Sequence, residues 1–267
     1  MTKFSSKIVL ITGGASGIGK LMGREVLQRG SKLVIWDVDK INLQQTLEEF
    51  EEFGEVYGYT VDITNTAWIQ EIAKQLKDEV GPVDILINNA GIVFGGYFHE
   101  NSLENIEKVM NVNAIAPMQL ARTFLSGMME RKQGHICNIT SSAGLVSNPK
   151  MAVYAGSKWA ATGWSDSLRL EMQQLKTGVG VTTVTPYYIN TGMFDGVKSN
   201  IPILDQNKVA KKIIKAIEKD RIYLSMPWSM RFVRFSQGLF PIWFYDWFVG
   251  RIIGVYKTMD EFKGRKK

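Results

Sequence analysis

Apolar runs of strand length alternate with stretches of helical spacing along most of the chain. The apolar runs predict strands at 7–12, 32–37, 55–61, 83–88, 134–140, 178–185 and 221–224. The stretches between them carry apolar residues at helical spacing in segments that end near residues 29, 53, 80, 131, 176 and 219. Regular alternation of strand and helix is typical of an α/β fold, here a doubly wound parallel sheet with helices on both faces.

Length and composition are consistent with one enzyme-sized domain. The 267 residues, 45% of them hydrophobic, are enough to bury a full core. We expect this domain at 1–225, followed by an aromatic and basic helical extension at 226–267. Cys137 is the only cysteine, so an internal disulfide is excluded, and no metal site is predicted because His99 and His135 form no Cys/His cluster.

The start of the chain and its hydropathy indicate neither export nor a spanning helix. Residues 1–14 enter an apolar strand directly, without the pattern of a signal peptide, and no long uncharged apolar stretch follows. We therefore expect a reducing, cytoplasmic setting. Any attachment to a membrane is expected to be peripheral and to come from the C-terminal end.

The positive charge of the chain is concentrated at its C-terminal end. Residues 1–220 hold 23 basic and 23 acidic side chains, whereas 221–267 hold nine basic and three acidic ones, so the net charge of +6 belongs to the second part. A nucleic-acid-binding domain would spread its basic residues over a working face, so no nucleic-acid partner is expected. The aromatic segment 226–256 beside basic residues 263–267 suits a membrane surface or a lid, and packing against the domain or a partner subunit is the alternative.

A glycine-rich turn and a carboxylate mark a candidate dinucleotide site. Gly13, Gly17 and Gly19 follow the first strand and would let the backbone approach a pyrophosphate at the start of a helix. Asp37 ends the second strand, 18 residues after Gly19, at the spacing of an acid that accepts the ribose hydroxyls of NAD and repels a 2'-phosphate. Asp37 as a plain turn residue and helix cap is the alternative.

The next two strand ends also carry polar groups. Asp62 follows the third strand, where it could meet adenine, and the turn Asn89-Ala90-Gly91 follows the fourth, where it could lie against the adenosine ribose. A plain turn would be made equally well by the residues around Asn89.

Tyr154 and Lys158 are the candidate pair for proton transfer. A helix brings residues four apart onto one face, and an ammonium beside a phenol lowers its pKa, so Tyr154 could accept a proton. Ser141 follows the fifth strand, 13 residues before Tyr154, and can meet the start of that helix. A half-buried tyrosine beside a solvated lysine is the alternative.

Five motifs in order and spacing resemble the short-chain dehydrogenase/reductase family. They are TGGASGIG at 12–19, NNAG at 88–91, Asn113, Ser141 and YAGSK at 154–158. The resemblance implies a seven-stranded Rossmann sheet of order 3-2-1-4-5-6-7, NAD(H)-dependent interconversion of an alcohol and its carbonyl, and pairing into a homodimer or homotetramer through the helices of Asn113 and Tyr154. A catalytically quiet dinucleotide-binding scaffold or redox-sensing protein is the alternative function.

The resemblance also implies the roles of individual residues. Tyr154 is the acid and base, Ser141 bonds the same substrate oxygen, Lys158 holds the nicotinamide ribose, and Asn113 supports a water relay to Lys158. The residues expected at the cofactor are Gly13, Ser16, Gly17, Ile18, Gly19, Asp37, Asp62, Ile63, Asn89, Ala90, Gly91, Tyr154, Lys158, Pro186, Ile189 and Thr191.

The substrate side departs from many soluble relatives. Tyr187-Tyr188 follow Pro186 where many relatives carry glycine, and this loop with the long tail is more similar to the branch that handles retinol, hydroxysteroids and other lipid alcohols. A hydrophobic alcohol or ketone is the expected substrate. Met193, Phe194, Tyr187 and Phe94 either line an apolar pocket or belong to the core.

Overall fold

The computed structural model describes residues 1–264 and contains one parallel sheet. Its strands are β1 (Ile8–Thr12), β2 (Lys32–Asp37), β3 (Val56–Thr60), β4 (Ile85–Asn88), β5 (Gly134–Ile139), β6 (Val179–Pro186) and β7 (Tyr223–Met226). They lie in the order β3-β2-β1-β4-β5-β6-β7, and each neighbouring pair is parallel. The predicted fold class and strand order are confirmed.

Helices cover both faces of this sheet. They are α1 (Gly17–Leu27), α2 (Lys40–Phe50), α3 (Thr66–Glu79), α4 (Leu103–Met110), α5 (Ala116–Glu130), α6 (Ala152–Gln174), α7 (Gln206–Glu218), α8 (Val233–Leu239) and α9 (Ile242–Asp246). Val9 and Ile11 pack into the apolar cluster that contains Ile213 of α7, while Leu10 packs into a second cluster with Leu120 of α5. Because both faces are buried, the strands read as continuous apolar runs.

The predicted helix over 103–131 is divided in the structure. A π-helical turn, Asn111–Ile115, separates α4 from α5. Pro117 lies in the first turn of α5 and has no N–H to donate to the carbonyl of Asn113, four residues earlier, so regular α-helical bonding cannot run through this point. The interruption places Asn113 at an irregular turn, a frequent position for functional residues.

The C-terminal extension consists of short helical segments rather than one long helix. After β7 come a 3₁₀ turn (Trp228–Phe232), α8, α9, a π-helical turn (Trp247–Ile252) and a second 3₁₀ turn (Val255–Lys257). The boundary expected at residue 225 falls inside β7, which ends at Met226. None of the helices in the described part of the chain is long and apolar enough to cross a membrane. The basic residues Arg265, Lys266 and Lys267 lie outside the described residues.

Candidate active site

The carboxyl ends of the central strands open into a cleft of about 510 Å³. Each residue expected at the cofactor lies in its wall, including the glycine-rich turn and Ile189 and Thr191 after β6. Ser141 lines the same cleft. This edge of a doubly wound sheet is where ligands bind in folds of this class.

The glycine-rich turn is built for close backbone approach. Gly13 and Gly17 have positive φ angles of 63° and 54°, which other residues adopt at a cost. A Cβ at Gly13 would lie 2.9 Å from the Cα of Ala90, and one at Gly19 would overlap the carbonyl oxygen of Gly13. Ser16 and Ile18 complete the turn where α1 begins, so free N–H groups of the helix start face the cleft.

The turn is bonded to the end of β4. The Thr12 hydroxyl accepts the N–H groups of Asn89 (3.0 Å) and Ala90 (3.1 Å), while the Asn89 side-chain amide donates to the carbonyls of Thr12 (2.9 Å) and Gly13 (3.0 Å). These four bonds fix the distance between the two loops. The Asn89–Gly91 turn therefore forms the floor of the cleft beside the glycine-rich turn.

Two carboxylates stand at the second and third strand ends. Asp37 accepts the N–H of Ala15 (3.0 Å) with one oxygen and the N–H of Asp39 (3.0 Å) with the other, so its carboxylate is held at the rim of the cleft. Asp62 accepts the N–H and the hydroxyl of Thr64, at 2.9 and 2.7 Å, and lies in the wall with Ile63. Asp37 does not cap α2; that role belongs to Asp39, whose side chain accepts the N–H of Asn42.

Tyr154 and Ser141 come together in a buried setting. Tyr154 lies in the first turn of α6 and is 4% exposed, and Ser141 follows β5. Burial raises the pKa of Tyr154, Tyr188 adds to the rise, and hydrogen bonding with the Ser141 side chain opposes it. The Ser141 hydroxyl also accepts the N–H of Ala143 (3.1 Å), which orients it.

Lys158 lies behind the tyrosine on the same face of α6. Its Nζ is 5.7 Å from the centroid of the Tyr154 ring and donates to the carbonyl of Ile139 (3.1 Å). Burial lowers the pKa of Lys158 to about 8. Burial of the phenol dominates, so the pKa of Tyr154 stands above its ordinary value although the Lys158 ammonium lies beside its ring.

Asn113 is buried behind the cleft and fixes two segments of the site. Its amide accepts the N–H of Ile92 (2.9 Å) and donates to the carbonyl of Ile92 (2.9 Å) and to the hydroxyl of Ser157 (3.1 Å). Ser157 in turn donates to the carbonyl of Tyr154 (2.7 Å). Asn113 thus ties the loop after β4 to the first turn of α6.

Several residues of the site were not expected from the sequence. Three groups position the expected site residues: the side chains of Thr12 and Ser157 and the backbone carbonyl of Ile139. Thr12 and Ser157 belong to the motifs TGGASGIG and YAGSK, and membership of these motifs was the signal in the sequence that could have identified them. Ile92 and Val112 also line the cleft and carried no signal in the sequence. Tyr187, Met193 and Phe194 line the cleft, whereas Phe94 is not among the lining residues of the described cavities.

Fold and site together define a dinucleotide-binding protein with a Ser-Tyr-Lys set at the end of its cleft. The chain belongs to the short chain dehydrogenase family, whose sequence profile it matches over residues 7–202. It is accordingly an oxidoreductase of that family.

Curated relatives carry dehydrogenase names. The chain is 37% identical over 270 residues to mouse (Mus musculus) epidermal retinol dehydrogenase 2, covering 98% of this chain and 87% of that protein. It is 35% identical over 240 residues to estradiol 17-beta-dehydrogenase 11 of Pongo abelii, covering 89% of this chain and 80% of that protein. Among solved structures, a short chain dehydrogenase/reductase from Burkholderia phymatum in complex with NAD superposes with a TM-score of 0.82 at 27% identity, covering 89% of this chain and 95% of that one.

Proposed function

We propose that the protein interconverts a hydrophobic alcohol and its carbonyl, with NAD(H) as the hydride carrier and Tyr154 as the acid and base. One observation carries the proposal: Ser141 and Tyr154 meet where the 510 Å³ cleft adjoins a second, apolar cavity. The polar reacting end of a substrate would lie at Ser141 and Tyr154, and its apolar body would lie in the second cavity.

The residues of the cleft fit NAD. A Cβ at Gly13 or Gly19 would collide with Ala90 or with the Gly13 carbonyl, so the tight turn requires glycine there. The turn leads into the start of α1, where free N–H groups can bind a pyrophosphate. Asp37 can accept ribose hydroxyls and would repel a 2'-phosphate, which favours NAD over NADP. When bound, NAD supplies the hydride acceptor for alcohol oxidation, and NADH the donor for carbonyl reduction. The solved relative in complex with NAD supports the same assignment.

Ser141 and Tyr154 are proposed to handle the proton of the substrate oxygen. An alcohol must lose its O–H proton as its C–H hydride leaves, so a base is required within hydrogen-bond reach of that oxygen. Tyr154 accepts this proton in oxidation and returns it in reduction. The Ser141 hydroxyl donates to the same oxygen and stabilises the charge that develops there.

Lys158 and Asn113 are proposed to support the tyrosine from behind. Lys158 supplies a positive charge that favours the phenolate against the effect of burial, and it is in place to hold ribose hydroxyls at the nicotinamide end of the cleft. Asn113 fixes the Ile92 loop and, through Ser157, the backbone of Tyr154. Since Pro117 cannot donate to the Asn113 carbonyl, that oxygen is suited to a water relay toward Lys158.

A hydrophobic substrate is supported by the walls on the substrate side. Phe194 packs edge-on against Tyr154 with ring centroids 5.8 Å apart, and Tyr188 packs against Phe194 at 5.0 Å. The names of the relatives, retinol dehydrogenase and estradiol dehydrogenase, refer to apolar alcohols. The substrate class proposed here is therefore a lipid-like alcohol or ketone.

A cofactor-coupled assay tests this function. The purified full chain is mixed with NAD and a panel of sterol, retinoid and long-chain alcohols, and NADH formation is followed, with Ser141→Ala as the companion variant. We expect turnover with apolar alcohols that falls sharply in Ser141→Ala. NAD binding without turnover of any alcohol or matching carbonyl would favour the scaffold function instead.

We also propose that the outer surface of the extension contacts an anionic membrane surface. Large apolar side chains on it are exposed: Trp228, Phe235, Ile242 and Trp243. The sequence of this segment also contains Arg231, Arg234 and Arg251, and residues 221–267 hold nine basic and three acidic side chains. Tryptophan side chains in a segment rich in basic residues are suited to the lipid headgroup region of an anionic membrane.

Vesicle co-sedimentation tests the membrane proposal. The full chain should bind phosphatidylserine-containing vesicles more strongly than pure phosphatidylcholine ones, and Trp243→Glu should weaken this binding. Trp68→Glu, on the half-exposed Trp68 of α3, is the matched control and should leave it unchanged. Equal binding by all three proteins would exclude a contact through Trp243.

We propose self-association through α6, which contains Tyr154, and through the helical segment of α4 and α5 around Asn113, as the family resemblance implies. Trp159 and Leu170 of α6 are exposed at 46% and 53%, which leaves apolar surface for a second copy. Sedimentation equilibrium of the purified chain should give a dimer or tetramer, and a monomer at micromolar concentration would contradict it.

A further inference from the structure

A second cavity of about 90 Å³ lies between the catalytic loops and the C-terminal extension. We call it the distal chamber. The extension supplies a large part of its wall, through Met230, Val233, Tyr245, Val249, Ile253 and Val255. Most of these side chains are apolar, so the chamber favours hydrocarbon over water.

The distal chamber adjoins the catalytic groups directly. Ser141, Tyr187 and Phe194 belong to the walls of both the chamber and the cofactor cleft. Phe194 also packs against Tyr154. A substrate whose oxygen is bonded to Ser141 and Tyr154 would therefore pass Phe194 and enter the chamber with its far end.

The wall on the extension side is fixed by polar contacts. The side-chain amide of Asn148 donates to the hydroxyl of Thr258 (2.8 Å), which also bonds the Tyr188 hydroxyl (3.0 Å). Gln237 donates to the carbonyl of Leu145 (2.8 Å). These bonds join the extension to the loop beside Ser141 and to the loop after β6. They fix the position of the chamber wall relative to the catalytic groups.

The volume of the chamber limits what can enter. It is smaller than the cavity of about 150 Å³ that accommodates a benzene molecule in a protein core. A slender chain end of a few carbon atoms fits, whereas a fused ring system does not without displacing the wall. The geometry thus favours an unbranched aliphatic end over a broad polycyclic one.

We propose that the distal chamber binds the far end of a long-chain aliphatic alcohol or aldehyde, and that Val249 of the extension limits the length of that chain. This inference rests on the proposed function, since it assigns the body of the substrate on which Tyr154 acts. Val249 is buried in the π-helical turn Trp247–Ile252 and faces the chamber wall, while Ile252 of the same turn is 55% exposed.

The test is a chain-length profile in the full protein. Turnover of butanol, octanol and dodecanol with NAD is measured for wild type, Val249→Phe, Val249→Ala and the matched control Ile252→Phe. Filling the chamber should lower the ratio of kcat/KM for dodecanol to that for butanol by about tenfold or more, because one methylene in an apolar pocket is worth about that factor. Val249→Ala should raise the same ratio, and Ile252→Phe should leave it as in wild type.

A ratio that responds equally to Val249→Phe and Ile252→Phe, or to neither, overturns the inference. Val249→Ala keeps the test decisive if Val249→Phe does not fold. Thermal stabilisation by dodecanol is measured alongside, and it should be lost in Val249→Phe only. Stabilisation with this pattern but no turnover by any variant would contradict the proposed function and leave the chamber assignment standing, so the two failures are distinguishable.

Discussion

Lys158 carries a buried positive charge at the expense of stability, and its removal should stabilise the fold. A pKa lowered from 10.5 to about 8 corresponds to a cost of about 3 kcal/mol for keeping the charged side chain in the fold at pH 7. Methionine has a similar length and no charge, but it loses the bond from Nζ to the Ile139 carbonyl, worth about 1 kcal/mol. Lys158→Met should therefore gain about 2 kcal/mol at pH 7.

The gain should depend on pH in a defined direction. Between pH 8 and 10.5 the unfolded chain holds the Lys158 proton more tightly than the folded one, so the stability of the wild type rises with pH across this window. The advantage of Lys158→Met is full below pH 8 and shrinks toward pH 10.5. This behaviour reflects a side chain retained for the site rather than for the fold.

Thermal unfolding of the cofactor-free protein measures both effects. A gain of about 2 kcal/mol should raise Tm by roughly 4–8 °C in a chain of this size at pH 7, and the difference should narrow near pH 10. Lys74→Met on the exposed face of α3 is the control and should change Tm little at either pH. A loss of stability in Lys158→Met at pH 7, or a gain that is the same at every pH, would refute the reasoning.

Three further predictions concern the cofactor cleft and the opposite end of the sheet. Gly19→Ala places a Cβ against the carbonyl of Gly13 and should weaken NAD binding by at least tenfold in a fluorescence titration; unchanged affinity would remove the turn from the cofactor site. Asp37→Ser should raise the ratio of kcat/KM with NADP to kcat/KM with NAD by about tenfold or more in steady-state kinetics. An unchanged ratio would contradict the role of Asp37 in choosing the cofactor. Hydrogen bonding, chiefly to His135, holds the pKa of Asp220 well below its usual range. Asp220→Asn should therefore lower Tm at neutral pH, and the difference in Tm from wild type should close only below about pH 4. A difference in Tm that persists in acid would contradict this pairing.

Much of the fold and most of the candidate cleft follow from the pattern of the chain. Continuous apolar runs such as the one at 7–12 occur because strands covered on both faces need no polar side. Because these runs alternate with helices, the pattern predicts a parallel sheet. Asp37, Asp62 and the Asn89 turn converge because the carboxyl ends of parallel strands share one edge.

Other features depend on contacts between distant segments. The α-helix is interrupted before Pro117 because this residue lacks a backbone N–H, whereas the long helical pattern alone predicted a continuous helix. The raised pKa of Tyr154 follows mainly from its burial, with Phe194 packed against its ring, and the spacing to Lys158 does not reveal this burial. The distal chamber joins Ser141 to Val249, more than a hundred residues apart, and no local pattern links them.

The most direct test of the central claim is the turnover of Tyr154→Phe with NAD and the best alcohol substrate of the panel. Phenylalanine keeps the ring that packs against Phe194 and removes only the hydroxyl, so cofactor affinity and Tm should stay close to wild type. If Tyr154 transfers the proton, kcat/KM should fall by about a hundredfold to ten-thousandfold. Turnover close to that of wild type, with intact NAD binding, would contradict the account.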